Sequence, residues 1–465
     1  MSQKNNHIHD ASFRDPSGHL FYDQGILRRR ITPLYFKQYQ SLSESGFYDT
    51  LINKGLLIKH TETSRSEDQI VITPEPIPFI TNPYEWSFEQ YKEAALLTLR
   101  LQKFALSKGY ILKDASAYNI TFYKGKPILI DTLSFDFYEE DTPWRGYKQF
   151  ITHFFGPMIL AKYHGTEVFK MMQTHIDGIP LALISSMLPL KTKLNAIIQT
   201  NIHLLAKMEA KHQEDYEGET KMITLSRKAQ NYILQSLFDH IKKLKIKTAT
   251  EWGDYYSKTN YERKAFDYKK QLIRSWIQEL QPQRVIDLGG NDGTFARTIQ
   301  DQVNHLIVTD IDAEAIDQNY KQIQENKEDN MLTFVSDLLQ PAPGIGFQNT
   351  ERNALIDRLK TYAPDTVMAL ALIHHITLSG NVPFEKTAKF LATFSKDLII
   401  EFPKREDSWV ASLLKRKREF IAHFDFYNQQ HFETSFALYF ELVKKEAIPE
   451  TARVMYHYSV KNTTV

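Results

Sequence analysis

The chain of 465 residues contains no cysteine. Disulfides, thiolate nucleophiles and cysteine-ligated zinc are thereby excluded, and a reducing compartment is the natural setting. Charge of one sign is missing as well: 57 Lys and Arg against 56 Asp and Glu leave a net +1. No global field therefore draws the chain to a phosphate backbone or an anionic membrane. No apolar run approaches the ~20 residues of a membrane helix, since windows such as IPLALISSMLPL at 179–190 are short and broken by Pro or Ser. The opening MSQKNNHIHDASF lacks the apolar stretch of a secretory signal. A cytoplasmic protein with no membrane partner is expected. Two basic runs, RRR at 28–30 and LKRKREF at 414–420, read as solvated faces without support from the overall charge, which argues against nucleic-acid binding.

What is present is ordinary globular material, with 42% hydrophobic and 24% charged residues and a length that favours two or three domains. From about residue 280 onward, short β-branched runs alternate with helical patterns: RVIDL, HLIVTD, LTFVSD, DTVMALAL and DLIIEF. That alternation predicts a parallel sheet with crossover helices. FALYFELVKKEAI and RVMYHYSVK then predict an antiparallel pair at its end. The first half differs, with a hairpin-like GHLFYDQGILRRRI and an amphipathic helix in WSFEQYKEAALLTLRLQKFALSKG, one face of which is expected to pack on a core. Charge-mixed helical segments follow, and KHQEDYEGETK is the most linker-like stretch. The expected division is an N-terminal domain at 1–190, a helical connector at 191–250 and a C-terminal domain at 251–465.

The sharpest local signal is VIDLGGNDGTF at 285–295. A dinucleotide pocket needs GxGxxG, because its glycines admit the pyrophosphate and pack helix on strand. Counted from Gly289, the second and third glycines are replaced by Asn291 and Thr294. S-adenosylmethionine has no phosphate, so a tight turn beside its methionine part suffices, together with an acid for the ribose hydroxyls. Gly289 and Gly293 supply the turn, and Asp310 in IVTDID stands 21 residues after Gly289, where a second-strand acid belongs. Asp337 in FVSDLL ends the third strand, within reach of an adenine amino group. The competing reading is a glycine turn that merely lets a strand pass into a helix.

On these residues the segment 251–465 resembles the class I SAM-dependent methyltransferases, whose pattern of apolar strand, acid and glycine turn is matched by VIDLGGNDG. The resemblance implies a Rossmann-like sheet with a terminal antiparallel hairpin. It implies that Asp287, Gly289 and Gly293 hold the methionyl part, Asp310 the ribose and Asp337 the adenine, with Asn291 departing from a common glycine. The residues after the fourth strand, Ile373, His374 and His375, then face the reacting centre. No Asn or Asp followed by Pro-Pro and an aromatic stands there, so a hydroxyl or amine is favoured over an amide or base nitrogen as methyl acceptor. His374 or His375 is a candidate general base, set against a plain packing role at a strand end. Glu401 and Asp407 in EFPKREDSW are candidates for the acceptor pocket or an exposed charge cluster, and Tyr255, Tyr256 and Tyr261 are candidates for a cap.

The first half holds a second constellation. LKDASAYN at 112–119 places Asp114 and Asn119 five positions apart, and PILIDT brings Asp131 twelve residues later. Kinase catalytic loops set a proton acceptor and two magnesium ligands in this order. The stretch 86–135 resembles the aminoglycoside and choline kinase fold, which implies Asp114 as base, Asn119 and Asp131 as metal ligands, and ATP with Mg as cofactors. Leu112 stands where a histidine is usual, no glycine-rich loop is visible, and Arg28, Arg29 or Arg30 would have to replace the expected lysine. The alternative is a turn whose side chains bond their own backbone. FRDPSG, PYEWSF, LKDASAYN and IDTLSF, ahead of a methyltransferase segment, resemble a bacterial nodulation-associated methyltransferase group. The expected protein is an α/β, SAM-dependent methyltransferase with an α+β kinase-like or substrate-selecting N-terminal domain and an unidentified acceptor. The alternative is an ATP/Mg-dependent phosphotransferase carrying a SAM-fold binding module.

Overall fold

The computed structural model describes residues 7–214, 224–246 and 263–461. Two compact units emerge: Met1–Thr248 with Pro343–Ala354, and Ala249–Ala342 with Leu355–Val465. The helices of 191–246 thus belong to the first unit, and so does a short piece of the C-terminal half.

The first unit opens on a five-stranded antiparallel sheet in the order β1-β2-β3-β5-β4, built from His7–Ile8, Gly18–Asp23, Ile26–Ile31, His60–Arg65 and Ile70–Pro74 as β1 to β5. The β2–β3 hairpin turns at Gln24 and Gly25, both at positive φ, the geometry of a two-residue turn that matches strand twist. The long helix Phe88–Ser107 starts on Ser87, whose hydroxyl accepts from the Gln90 N–H, a capping box. Burial extends beyond the expected single face, because Gln90, Lys92, Thr98 and Gln102 are covered along with its apolar residues. Two short antiparallel ribbons follow: β6 (Tyr110–Leu112) with β9 (Phe135–Phe137), and β7 (Ile120–Tyr123) with β8 (Lys126–Leu129). Residues 343–354 join this unit through Glu351, 3% exposed, whose carboxylate takes a forked pair from Arg14 at 2.5 and 3.0 Å. Arg352 lies 5.2 Å from the centre of the Tyr118 ring.

The second unit is a seven-stranded sheet in the order β12-β11-β10-β13-β14-β16-β15. Its strands are Arg284–Leu288, His305–Asp310, Met331–Val335, Thr366–Ala369 and Asp397–Pro403 as β10 to β14, then Phe440–Ala447 and Arg453–Val460 as β15 and β16. β10 to β14 pair in parallel, and β16 runs antiparallel between β14 and β15, so the mixed α/β sheet has the expected five parallel strands and terminal hairpin. β13 is shorter than DTVMALAL suggested, because Ala371 turns to positive φ and the chain leaves the sheet. The helix Arg263–Leu280 lays Ala265, Ile273, Trp276 and Ile277 on Val285, Leu306, Met368 and Met455. The order reverses between β10 and β13, and a crevice opens there beyond the strands' carboxyl ends. Among the described residues, no helix is long and apolar enough to cross a membrane.

Candidate functional site

A cavity of about 290 Å³ occupies that crevice. Its wall is built by the ends of successive strands: Asp287, Gly289, Gly290 and Asn291 after β10, Asp310 after β11, Ser336 and Asp337 after β12, and Leu372 and His375 after β13.

The turn after β10 is formed by backbone. The Gly289 and Gly290 N–H groups both donate to the Thr309 carbonyl, at 2.8 and 3.1 Å. Gly289, Asn291 and Gly293 all sit at positive φ. Asn is the side chain that best tolerates this region after glycine, which accounts for its place in the motif. Gly290 matters for a different reason, because a Cβ there would lie 2.8 Å from the Asp287 carboxyl carbon. Gly293 is not in the wall; it opens the short helix Thr294–Arg297.

The acids differ in their partners. Asp310 receives the Asn291 N–H on Oδ2 and the Asp312 N–H on Oδ1, each at 2.9 Å. Burial raises its pKa to about 6 against those two donors. Asp287 is 1% exposed, and neither of its carboxylate oxygens has a hydrogen-bond partner. Burial pushes it up to about 7, with Lys269 opposing and Asp310 reinforcing the rise. Asp337 is half-buried and caps the Leu339 N–H at 2.8 Å. The Ser336 hydroxyl beside it is buried without a partner.

The two histidines part company. His375 stands in the wall, whereas His374 is buried outside it, 2% exposed, with Nδ1 unpartnered. Their rings lie 4.1 Å apart. Burial, with help from Arg453, lowers His375 to about 4 and His374 well below the ordinary range. Both rings are neutral at neutral pH, and neither has the base strength of a free imidazole.

Lys269 belongs to the site although the sequence reading passed it over. It lines the cavity while 1% exposed, with Nζ donating to Glu401 Oε2 at 2.6 Å and lying 4.0 Å from the centre of the Phe295 ring. Arg453 donates to Glu401 Oε1 at 3.2 Å and to Asp407 Oδ2 at 2.7 Å. Glu401 and Asp407 are therefore neither an exposed cluster nor part of the cavity wall; they are buried members of an ion network beneath it. The sequence signal was present: Ala265, Lys269, Ile273 and Ile277 fall at four-residue steps on one helical stripe, and the lysine is its single polar member. Tyr255, Tyr256 and Tyr261 lie outside the described residues.

In the first unit Asp114, Asn119 and Asp131 come close together. Asp114 accepts from the Ser116 N–H at 3.0 Å and from Gln149 at 2.8 Å, and Ser116 accepts from the Tyr118 N–H, so the self-bonded turn is real. Asp131 is committed on both oxygens: Oδ1 to the Arg29 guanidinium and the Leu133 N–H, Oδ2 to the Ser134 hydroxyl. Burial alone would raise Asp131, but Arg29 and these donors hold it below the usual carboxylate range. Asp131 is thus an ionised carboxylate already charge-paired with Arg29, and among the described residues no three His, Cys, Asp or Glu side chains group as a metal site. Of the RRR triplet, Arg28 pairs with Asp23 and Arg29 with Asp131.

No family model matches the chain. It is similar to the nodulation protein NoeA of Rhizobium meliloti (strain 1021), 28% identical over 462 residues, spanning 96% of this chain and 95% of that protein. Among solved structures it is similar to the N-methyltransferase NodS of Bradyrhizobium japonicum WM9 (9% identity, TM-score 0.32, 43% of this chain and 99% of the other). Another is the magnesium protoporphyrin IX methyltransferase ChlM of Synechocystis PCC 6803 with bound SAH (13% identity, TM-score 0.30, 50% and 97%). At these TM-scores the strand order and the cavity, rather than the likenesses, bear the functional reading.

Proposed function

We propose that the second unit binds S-adenosylmethionine and transfers its methyl group to an amine or hydroxyl acceptor. The observation that carries this is Asp287, a buried carboxylate with no partner on either oxygen, facing a cavity beside a glycine turn that a single Cβ would fill. Such a group is costly unless a cation completes it, and the donor's amino-acid ammonium is that cation. Asp310, held by two backbone N–H groups, keeps a lone pair on each oxygen for the ribose hydroxyls. Asp337 and Ser336 stand where an adenine edge needs partners. When bound, the cofactor supplies an electrophilic methyl on a sulfonium.

Around it, Leu372, Ile376 and the aliphatic part of the wall exclude water, and His375 offers a neutral ring nitrogen to the acceptor. A ring lowered to about 4 orients a nucleophile better than it deprotonates one, which favours an amine that attacks through its own lone pair. The His374 ring packs against that of His375, 4.1 Å between centres. The test is calorimetry of the full chain with S-adenosylmethionine and S-adenosylhomocysteine: one-site binding is expected, and its absence overturns the reading.

For the first unit, the sequence of antiparallel sheet, long helix and two short ribbons carrying Asp114, Asn119 and Asp131 supports a kinase-like scaffold. The Arg29–Asp131 pair supports a scaffolding or substrate-selecting role over phosphotransfer, and ATP and Mg find no support there.

A further inference from the structure

Four buried charges form an ion network beneath the cavity. Lys269 and Arg453 carry two positive charges, Glu401 and Asp407 two negative ones, and each contact between them is 3.2 Å or less. All four side chains are at most 7% exposed. They reach the site from separate elements: Lys269 from the helix Arg263–Leu280, Glu401 from β14, Arg453 from β16, and Asp407 from the N-cap of the helix Ser408–Arg416. Only Lys269 also lines the cavity. The groups facing Asp287 are Lys269 and Asp310, with Glu401 and Arg453 one shell further and His375 on the same wall.

We infer that Lys269 is a positioning residue of the donor site: anchored by Glu401, it keeps Asp287 in the carboxylate form that receives the donor's ammonium group. This rests on the donor reading above. Three features bear it. Lys269 is the single cation among the described residues of the wall. It is immobilised, by a 2.6 Å bond on one side and the Phe295 ring on the other, so its field on Asp287 is fixed before any ligand arrives. Its own charge is mostly compensated by Glu401, so it moderates Asp287 without filling the place of the ligand's cation. Glu401 thus sets how much of that field Asp287 feels.

The experiment is calorimetric titration of the full chain with S-adenosylhomocysteine from about pH 5.5 to about pH 9. The wild-type affinity rises with pH through two acids, Asp310 at about 6 and Asp287 at about 7, and levels off above them; the upper step, that of Asp287, is the midpoint followed. Lys269→Met moves that midpoint upward by about one pH unit, equivalent to a ~tenfold loss at acidic pH and little loss at the plateau. Glu401→Gln keeps the shape of the anchor, releases more positive field, and moves the midpoint downward. Lys269→Arg restores the wild-type profile. A merely structural lysine lowers affinity by one factor at every pH; that result, or shifts of the same sign in Lys269→Met and Glu401→Gln, overturns the inference. If Lys269→Met does not fold, the downward shift in Glu401→Gln decides alone. Absence of wild-type binding at any pH overturns the donor reading itself, whereas an upper step that is lost in Asp287→Asn but keeps its wild-type midpoint in Lys269→Met and Glu401→Gln overturns the inference only.

Discussion

Replacing Asp310 by alanine is the most direct strike at the donor site. Each of its carboxylate oxygens already accepts one backbone N–H at 2.9 Å, which leaves one acceptor direction per oxygen, enough for the two hydroxyls of a ribose. Hydrogen bonds to a charged acceptor contribute about 1.5–3 kcal/mol each. Two of them are worth roughly 3–6 kcal/mol, or about 10² to 10⁴ in affinity. The substitution also strips the Asn291 N–H of its partner, so part of the loss comes through the turn. Asp310→Asn separates the two effects, since its amide oxygen still accepts one N–H; it should fall between wild type and alanine. Calorimetry with S-adenosylhomocysteine at about pH 8, where both Asp310 and Asp287 are ionised, is the assay. An affinity for Asp310→Ala within about threefold of wild type would refute the ribose assignment.

Gly290→Ala places a Cβ 2.8 Å from the Asp287 carboxyl carbon and from Val308 Cγ1, and should cost about 1–3 kcal/mol of stability together with ligand binding; an unchanged Tm and affinity would show that the turn yields. An NMR titration of the His375 ring should give a midpoint near 4, not the 6 to 7 of a nearly free imidazole. Because this folded-state value lies below the unfolded one, the neutral ring's contribution is present at neutral pH and is lost as pH falls toward 4. Asp131→Asn leaves the buried Arg29 with only the longer, 3.9 Å pairing to Asp15 and should cost about 3 kcal/mol in urea unfolding, the lower end for a broken buried pair because the amide still accepts and a second carboxylate remains. Asp131 is lowered in the folded state, so wild type loses this contribution as pH drops below the carboxylate range, while the variant shows no such loss.

Much of the second unit was legible because its signals are local. β-branched runs alternating with helical ones give parallel strands whatever the rest of the chain does, and acids at the ends of three such runs necessarily meet at one edge. The backbone at Asn291 was not legible: the sequence showed only a departure from a common glycine, and the positive φ came from the structure. What else escaped depends on distance. Lys269 and Glu401 are 132 residues apart, and a lysine inside YERKAFDYKKQLIR looks like its exposed neighbours until its helical stripe is drawn. The same holds for Arg29 and Asp131, 102 residues apart: spacing showed three polar side chains in kinase order, yet nothing local announced that an arginine would close over one of them. The division of His374 from His375 was also hidden, because the apolar run reads as a strand on to Leu372, whereas β13 ends at Ala369 and both histidines lie in a helical segment after the turn at Ala371.

The placement of Pro343–Ala354 in the first unit has a consequence for how the molecule can be made. Synthesis delivers residues 1–248 and then more than ninety residues of the other unit before the partner of Arg14 emerges. The earlier unit must wait, incomplete, while the later one is half built. A gene divided at the apparent boundary leaves Arg14 without Glu351 in one product and, in the other, a segment whose buried residues Ile345 and Glu351 lack the unit they belong to. Exchange of either unit intact by recombination therefore needs three crossovers, at 248/249, 342/343 and 354/355, rather than one.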